Sequence, residues 1–339
     1  MKSLKYILFL LLILFIGFSI YIAVQPNSYN ITRNKTINAP AAVIFNNVND
    51  YKNWEAWSPW IEQEPDLQIT YSEQTSGVGG SYSWIGEDGP GNMKTLAVSP
   101  YDSISQEMQF SDFPPSNVYW KFEKAENGTN VTWGMKSNKI PFMLKFFAAI
   151  NGGMDKMVGP NFERGLEKLD SIIINSMKAY NIEINGITEY GGGFYLYKTT
   201  NASNANISQI MGQQYGSISA FMGQNNIAFN GMPFTIYHDM NMENGTVIMS
   251  NAIPVKEKII ITGDSNILCD YLPKMKVLKT TLKGNYSNLS EAWKTTMTYI
   301  AENNIEQAEY KPFEIYTTDP GNYPNPSDWI TEIYIPIKE

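Results

Sequence analysis

Two stretches of this chain repeat one another. QNNIAFNGMPFTIYHDM at 224–240 lies beside ENNIEQAEYKPFEIYTTDP at 302–320, with the NNI triplets offset by 78 residues and the PF-x-IY runs by 79. NAIPV at 251–255 answers IYIPI at 333–337, and ISQIMGQQYGSISAFM and YSNLSEAWKTTMTYIA are amphipathic stretches that each precede an NNI turn. With GGGFYLYKTT and MKVLKTTLKGNY as opening strands, each copy reads strand, helix, strand, strand. A duplicated unit of this kind pairs its sheets about a pseudo-twofold axis, with helices behind one curved surface and a groove between the copies.

Within the repeat, Phe234 matches Phe313, Ile236 matches Ile315 and Tyr237 matches Tyr316, but Thr235 stands where the second copy has Glu314. Side chains alternate along a strand, so Glu314 and Tyr316 share one face while Phe313 and Ile315 share the other. A lone acid on a strand is ordinarily a solvated one. An acid that only one copy carries is not required to build the strand, which makes Glu314 the candidate functional group. Pseudo-symmetry brings Tyr237 and Tyr316 near it. Aromatic walls around one anion suit a hydrophobic, aromatic or cationic small molecule, held by stacking, cation–π attraction and a charge pair.

The N-terminal end constrains the chain differently. From Tyr6 to Val24 no residue is charged, and Lys2 and Lys5 precede the run. At about 1.5 Å per helical residue such a stretch just spans a hydrocarbon core of roughly 30 Å. It is longer than a signal-peptide apolar region, and no convincing small-x-small cleavage site follows, so an anchor is expected over a cleaved signal. Positive charges before the run keep the N-terminus cytoplasmic and send the rest across, to the periplasm or the cell surface.

Composition narrows the chemistry. The formal net charge is −8 and acids exceed bases in both halves, so no nucleic-acid partner is expected. Cys269 and His238 are the single cysteine and histidine, which excludes an intramolecular disulfide and a Cys/His zinc site. No metal or cofactor is expected. His238 alternates with Tyr237 and so reads as a strand-end residue on the opposite face.

Residues 29–178 run strand, short helix, many short strands, long helix. Here INAPAAVIFNNVNDYKNWEAWSPW, GVGGSYSWIG, VTWGM and FERGLEKLDSI resemble the START-like superfamily, SRPBCC or polyketide cyclase-like, with its helix-grip fold. The resemblance implies a sheet gripping the closing helix, often over a hydrophobic cavity able to hold a lipid-like ligand. Pro160 suits the first turn of that closing helix. Trp54, Trp57 and Trp60 read either as packing or as an aromatic clamp.

Residues 181–339 are identified as similar to the gyrase-inhibitor-like effector-binding domain, found also as the ligand-sensing half of AraC-type and multidrug-responsive regulators. The resemblance rests on KGNYSNLSEAWKTTMTYIAENN, KPFEIYTTDP and WITEIYIPI. It implies that Glu314 lies in the binding pocket among aromatic residues, with Tyr316 and, on the last strand, Tyr334. The first copy departs from the pattern at YHDMNMENG, and no DNA-binding segment is present. The expected fold is therefore α+β: an N-terminal transmembrane segment in residues 1–28, a helix-grip domain, then a pseudo-twofold duplicated effector-binding domain. Three functions remain open: membrane-anchored small-molecule binding, hydrolysis of electrophilic small molecules with Glu314 as general acid or base, and a non-catalytic envelope scaffold.

Overall fold

The structure, a computed structural model, describes residues 2–241, 244–261 and 266–338. Met1 of the expected anchor, residues 242–243 of YHDMNMENG and Glu339 at the end of the second domain lie outside the described residues. The chain divides into two compact units, Met1–Ser176 and Met177–Glu339.

The first unit begins with α1 (Lys2–Ala23), whose span Leu4–Ala23 has a mean hydropathy of 2.7. It is long and apolar enough to cross a membrane, a test that a signal sequence also passes. Next come β1 (Tyr29–Ile37), α2 (Ala41–Asn49) and α3 (Pro59–Gln63). Six strands follow: β2 (Gln68–Tyr71), β3 (Ser81–Gly86), β4 (Gly89–Ser99), β5 (Ser103–Phe110), β6 (Ser116–Ala125) and β7 (Gly128–Ser137). They form one antiparallel sheet in the order β1-β7-β6-β5-β4-β3-β2, closed by α4 (Phe142–Ile150) and α5 (Met154–Lys178).

Aromatic rings fill the space between this sheet and α5. Trp133 stacks between Trp120 at 4.5 Å and Phe162 of α5 at 4.2 Å, and Trp54 and Trp57 meet both tryptophans at steeper angles. Trp54 and Trp57 are buried and Trp60 borders the cluster, so all three tryptophans pack rather than present a clamp. These rings stand where the resemblance implies a cavity. The FERG sequence has a reason here, because a Cβ on Gly165 would lie 2.6 Å from the Trp133 ring.

Two elements differ from the sequence reading. The closing helix starts at Met154, so Pro160 is inside it rather than in its first turn. The turn ahead of the proline is held from outside: Arg33 donates to both Asp155 oxygens at 2.9 and 3.0 Å and packs against Gly159. The other is α4, a helix of only nine residues, too short for its apolar spacing to separate it from a strand.

The second unit comprises β8 (Asn181–Tyr190), β9 (Gly193–Ser203), α6 (Ile207–Gln224), β10 (Phe234–Asn241), β11 (Thr246–Val255) and β12 (Leu268–Leu272). It continues through β13 (Met275–Lys283), α7 (Leu289–Glu302), β14 (Phe313–Tyr316) and β15 (Ile330–Pro336). Its single sheet has the order β12-β9-β11-β10-β14-β15-β13-β8. The copies β9-α6-β10-β11 and β13-α7-β14-β15 are mirrored about the β10–β14 seam. There Phe234 faces Ile315, Thr235 faces Glu314 and Ile236 faces Phe313.

The NNI triplets end the two helices identically. Asn226 and Asn304 adopt φ of 54° and 52°, the left-handed conformation that asparagine tolerates. In each turn the isoleucine N–H returns to a helix carbonyl, Ile227 to Met222 at 2.9 Å and Ile305 to Ile300 at 3.0 Å. The accompanying asparagine N–H bonds reach Gly223 and Ala301, completing a Schellman cap in each copy.

Gly165→Ala tests the packing of the first unit. Helix propensity alone favours alanine by about 1 kcal/mol, whereas overpacking against Trp133 costs about 1–3 kcal/mol. A net loss of stability in urea unfolding followed by tryptophan fluorescence is expected; a gain would refute the contact.

Candidate functional site

Glu314 sits at the centre of the second unit's sheet and is 1 % exposed. Its Oε2 accepts hydrogen bonds from the Tyr237 hydroxyl at 2.8 Å and the Tyr316 hydroxyl at 2.7 Å, and its Oε1 accepts from the Trp293 indole N–H. β10 supplies Tyr237, β14 supplies Tyr316 and α7 supplies Trp293. Among the described residues no basic side chain forms an ion pair with Glu314. An acid with three neutral donors and no cation is an unusual object for a protein interior.

Partly exposed rings lie above it. Tyr316 meets Tyr215 of α6 edge-on at 6.3 Å and Tyr286 at 5.7 Å, and Tyr286 lies against Trp329 at 4.6 Å. Trp293 meets Tyr237 edge-on at 5.5 Å. The acid is thus the floor of an aromatic patch between α6 and α7.

Across the seam the equivalent position is neutral. Thr235 donates to Asn251 Oδ1 at 2.8 Å and lies 2.7 Å from the Tyr215 hydroxyl, which therefore donates to it; Asn251 donates in turn to Gln214 Oε1 at 2.7 Å. Position for position, Tyr215 serves Thr235 as Trp293 serves Glu314. The second copy has Ile333 where the first has Asn251, so the acid has an apolar strand neighbour.

Burial pushes the Glu314 carboxyl above its ordinary value, against the opposing pull of the Tyr316, Trp293 and Tyr237 hydrogen bonds. Tyr237 and Tyr316 are raised by burial and then by the adjacent acid. Tyr286 is pushed up to about 12 by burial, Asp319 and Glu314. The phenols are therefore neutral donors at physiological pH.

Of the sequence-derived site residues, Glu314, Tyr316 and Tyr237 come together and Tyr334 does not. Tyr334 pairs with Phe313, stacks on its ring at 5.1 Å and donates to Glu332 at 2.6 Å, all on the opposite face of the sheet. Strand parity explains this, since the pairing of Glu314 with Ile333 turns the next residue away. His238 is inside β10 rather than at a strand end, at the bulge between Tyr237 and Asp239, and its ring lies 2.6 Å from the Ser250 hydroxyl. Sequence reading missed Trp293 and Tyr215, although the NNI offset of 78 relates them directly. The repeat also sets Asn251 against Ile333, whereas Gln214 and Tyr286 carry no such signal.

The fold is a two-domain α+β one, and the family models that its halves match are of small-molecule-binding types. Residues 29–173 match the family of polyketide cyclase / dehydrase and lipid transport proteins, and residues 194–338 match the GyrI-like small molecule binding domain. Both domain classes indicated by the sequence motifs are thereby met. Among solved structures the chain is similar to the EcmrR C-terminal domain, at 20 % identity and TM-score 0.39 over 47 % of this chain and 98 % of that one. It is also similar to a protein from Mycobacterium smegmatis, at 21 % identity and TM-score 0.32 over 43 % of this chain and 91 % of that one. A third, from Staphylococcus epidermidis, has 18 % identity and TM-score 0.34 over 46 % and 94 %. No curated protein matches the chain.

The raised carboxyl gives a pH signature. Its protonated form is favoured by folding, so the contribution is fully present below the ordinary value of 4.5 and is lost as pH rises through the elevated folded value. The melting temperature of Glu314→Gln minus that of the wild type should grow as pH is raised from 4.5 towards neutrality. A difference that is flat or shrinks over that range would show that the hydrogen bonds, not burial, dominate.

Proposed function

We propose that the protein is a membrane-anchored small-molecule-binding protein. Residues 1–28 form the anchor, 29–178 a START-like domain and 181–339 an effector-binding domain, with the N-terminus cytoplasmic and both domains outside. The second domain binds an aromatic, apolar or cationic ligand at Glu314, Tyr316 and Tyr237, joined by Trp293 and Tyr215. The observation that carries this reading is a buried carboxylate with no cationic partner among the described residues, beneath partly exposed aromatic rings. A ligand cation entering between those rings supplies the missing charge and meets ring faces. Tyr334 has no part in this binding site, and a ligand of the first domain would have to displace packed tryptophans.

Binding is supported over turnover by how Glu314 is held. Three donors already take most of the roughly four acceptor positions of the carboxylate, whereas a general base needs a lone pair aimed at a nucleophile. The experiment is a thermal-shift screen of aromatic cations and electrophilic compounds on wild type and Glu314→Gln. For a cationic binder, the substitution should weaken affinity by about 1–3 kcal/mol, and Thr235→Val should weaken it less. Identical responses of wild type and Glu314→Gln would sink the binding reading, and turnover abolished with binding intact would replace it by hydrolysis. For the topology, a reporter fused after Glu339 should be active only outside the cytoplasm.

A further inference from the structure

Helix α4 buries its lysine and exposes an apolar face. Its one charged residue, Lys145, is 6 % exposed, and its Nζ donates to the carbonyls of Gln25 at 2.7 Å and Ala23 at 3.3 Å. Those carbonyls lie at and just beyond the C-terminus of α1, where unpaired acceptors and the negative end of the helix dipole favour a cation. The opposite side of α4 carries Phe142, Met143, Phe147 and Ile150, exposed by 48, 53, 42 and 56 %. At 100° per residue these four fall within one arc of the helix, shared by Phe146, which packs against Phe18 of α1.

The helix is fastened to the end of α1 at further points. Phe146 meets Phe18 edge-on at 6.0 Å, the Ile140 N–H donates to the Asn27 carbonyl at 3.0 Å, and Ile22 is 1 % exposed. Exposed lysines flank α4 in sequence, Lys136 and Lys139 before it and Lys156 after it. An uncharged, aromatic-rich face beside the end of an apolar helix and between lysines has the make-up of a membrane-interface surface.

We infer that the exposed face of α4 is a second membrane contact, seated in the headgroup and upper acyl layer of the bilayer that α1 enters. The inference rests on the reading of α1 as a membrane segment. It means that the START-like domain is held against the lipid surface rather than tethered above it. The occupant is lipid because the face continues directly from α1, and the flanking lysines favour anionic headgroups.

The test uses the full chain with Cys269→Ser, reconstituted in phosphatidylcholine–phosphatidylglycerol vesicles. A spin label is placed singly at Met143→Cys, Phe147→Cys, Ile13→Cys and Asn127→Cys, the last being at the far end of β7 in an exposed turn. Collision with oxygen and with a water-soluble nickel chelate is then measured. Labels at 143 and 147 should meet the chelate several-fold less often than the label at 127, and the label at 13 should be fully protected. Labels at 143 and 147 as accessible as at 127, with 13 protected, would overturn the second contact and leave the anchor standing. Accessibility at all four sites would overturn both. Spectral broadening at 143 that disappears on dilution with unlabelled protein would assign the face to a second copy of the chain and refute the lipid contact.

Discussion

Antiparallel pairing of β10 with β14 sets Thr235 opposite Glu314, so that equivalent residues of the two copies meet at the local twofold. Every side chain at such a seam is seen from both halves at once. Tyr237 reaches Glu314 across the seam from the first copy, while Tyr316 and Trp293 reach it from the second. A symmetric pair of acids at this place would set two carboxylates side by side in a dry interior, and one of them would be forced to stay protonated. A single acid facing a threonine avoids that repulsion while keeping the ring of donors that symmetry provides. The duplication thus gathers donors from two strands and one helix around one acid.

That charge is not comfortable where it lies. Taking a carboxylate out of water costs several kcal/mol, and hydrogen bonds to it offset part of that. Burial pushes the carboxyl above its ordinary value despite its three donors. The three donors are neutral and supply no compensating charge. On the proposed reading, a cation sharing the site removes part of that cost, which a neutral ligand of the same shape cannot do. Discrimination by charge would then follow from what the site lacks as much as from what it contains.

The architecture was legible because both devices that build it leave local marks. Duplicated NNI caps require a residue tolerant of positive φ at the same helix position in both copies, and asparagine meets that need at 226 and 304. The asymmetric Glu314 was visible against that background, as were the phenols that alternate with Thr235 and Glu314. Less legible was everything that depends on which helix face meets the sheet. Trp293 lies in a run containing other plausible core residues, and only the offset to Tyr215 singles it out. Tyr334 misleads for the reason that Tyr316 does not: both follow an isoleucine in a strand, but their registers place them on opposite faces. In the first unit, three tryptophans at three-residue spacing said nothing about whether their rings enclose space or fill it. That depended on Trp120, Trp133 and Phe162 arriving from distant elements.

Helix α4 shows why a charge in a sequence cannot be assigned to water by default. FMLKFFAAI is an apolar stretch with one lysine, a residue type that ordinarily faces water. The fold reverses this, because α1 ends in carbonyls that need a donor and Lys145 is the donor nearest to them. Once its ammonium is used there, rotation of the helix is fixed, and the aromatic side has nowhere to turn but outward. In water such an arrangement exposes apolar surface without compensation. Beside the end of a helix able to cross a bilayer, the inferred contact would satisfy both groups together: the ammonium meets the helix terminus, and the rings would meet lipid.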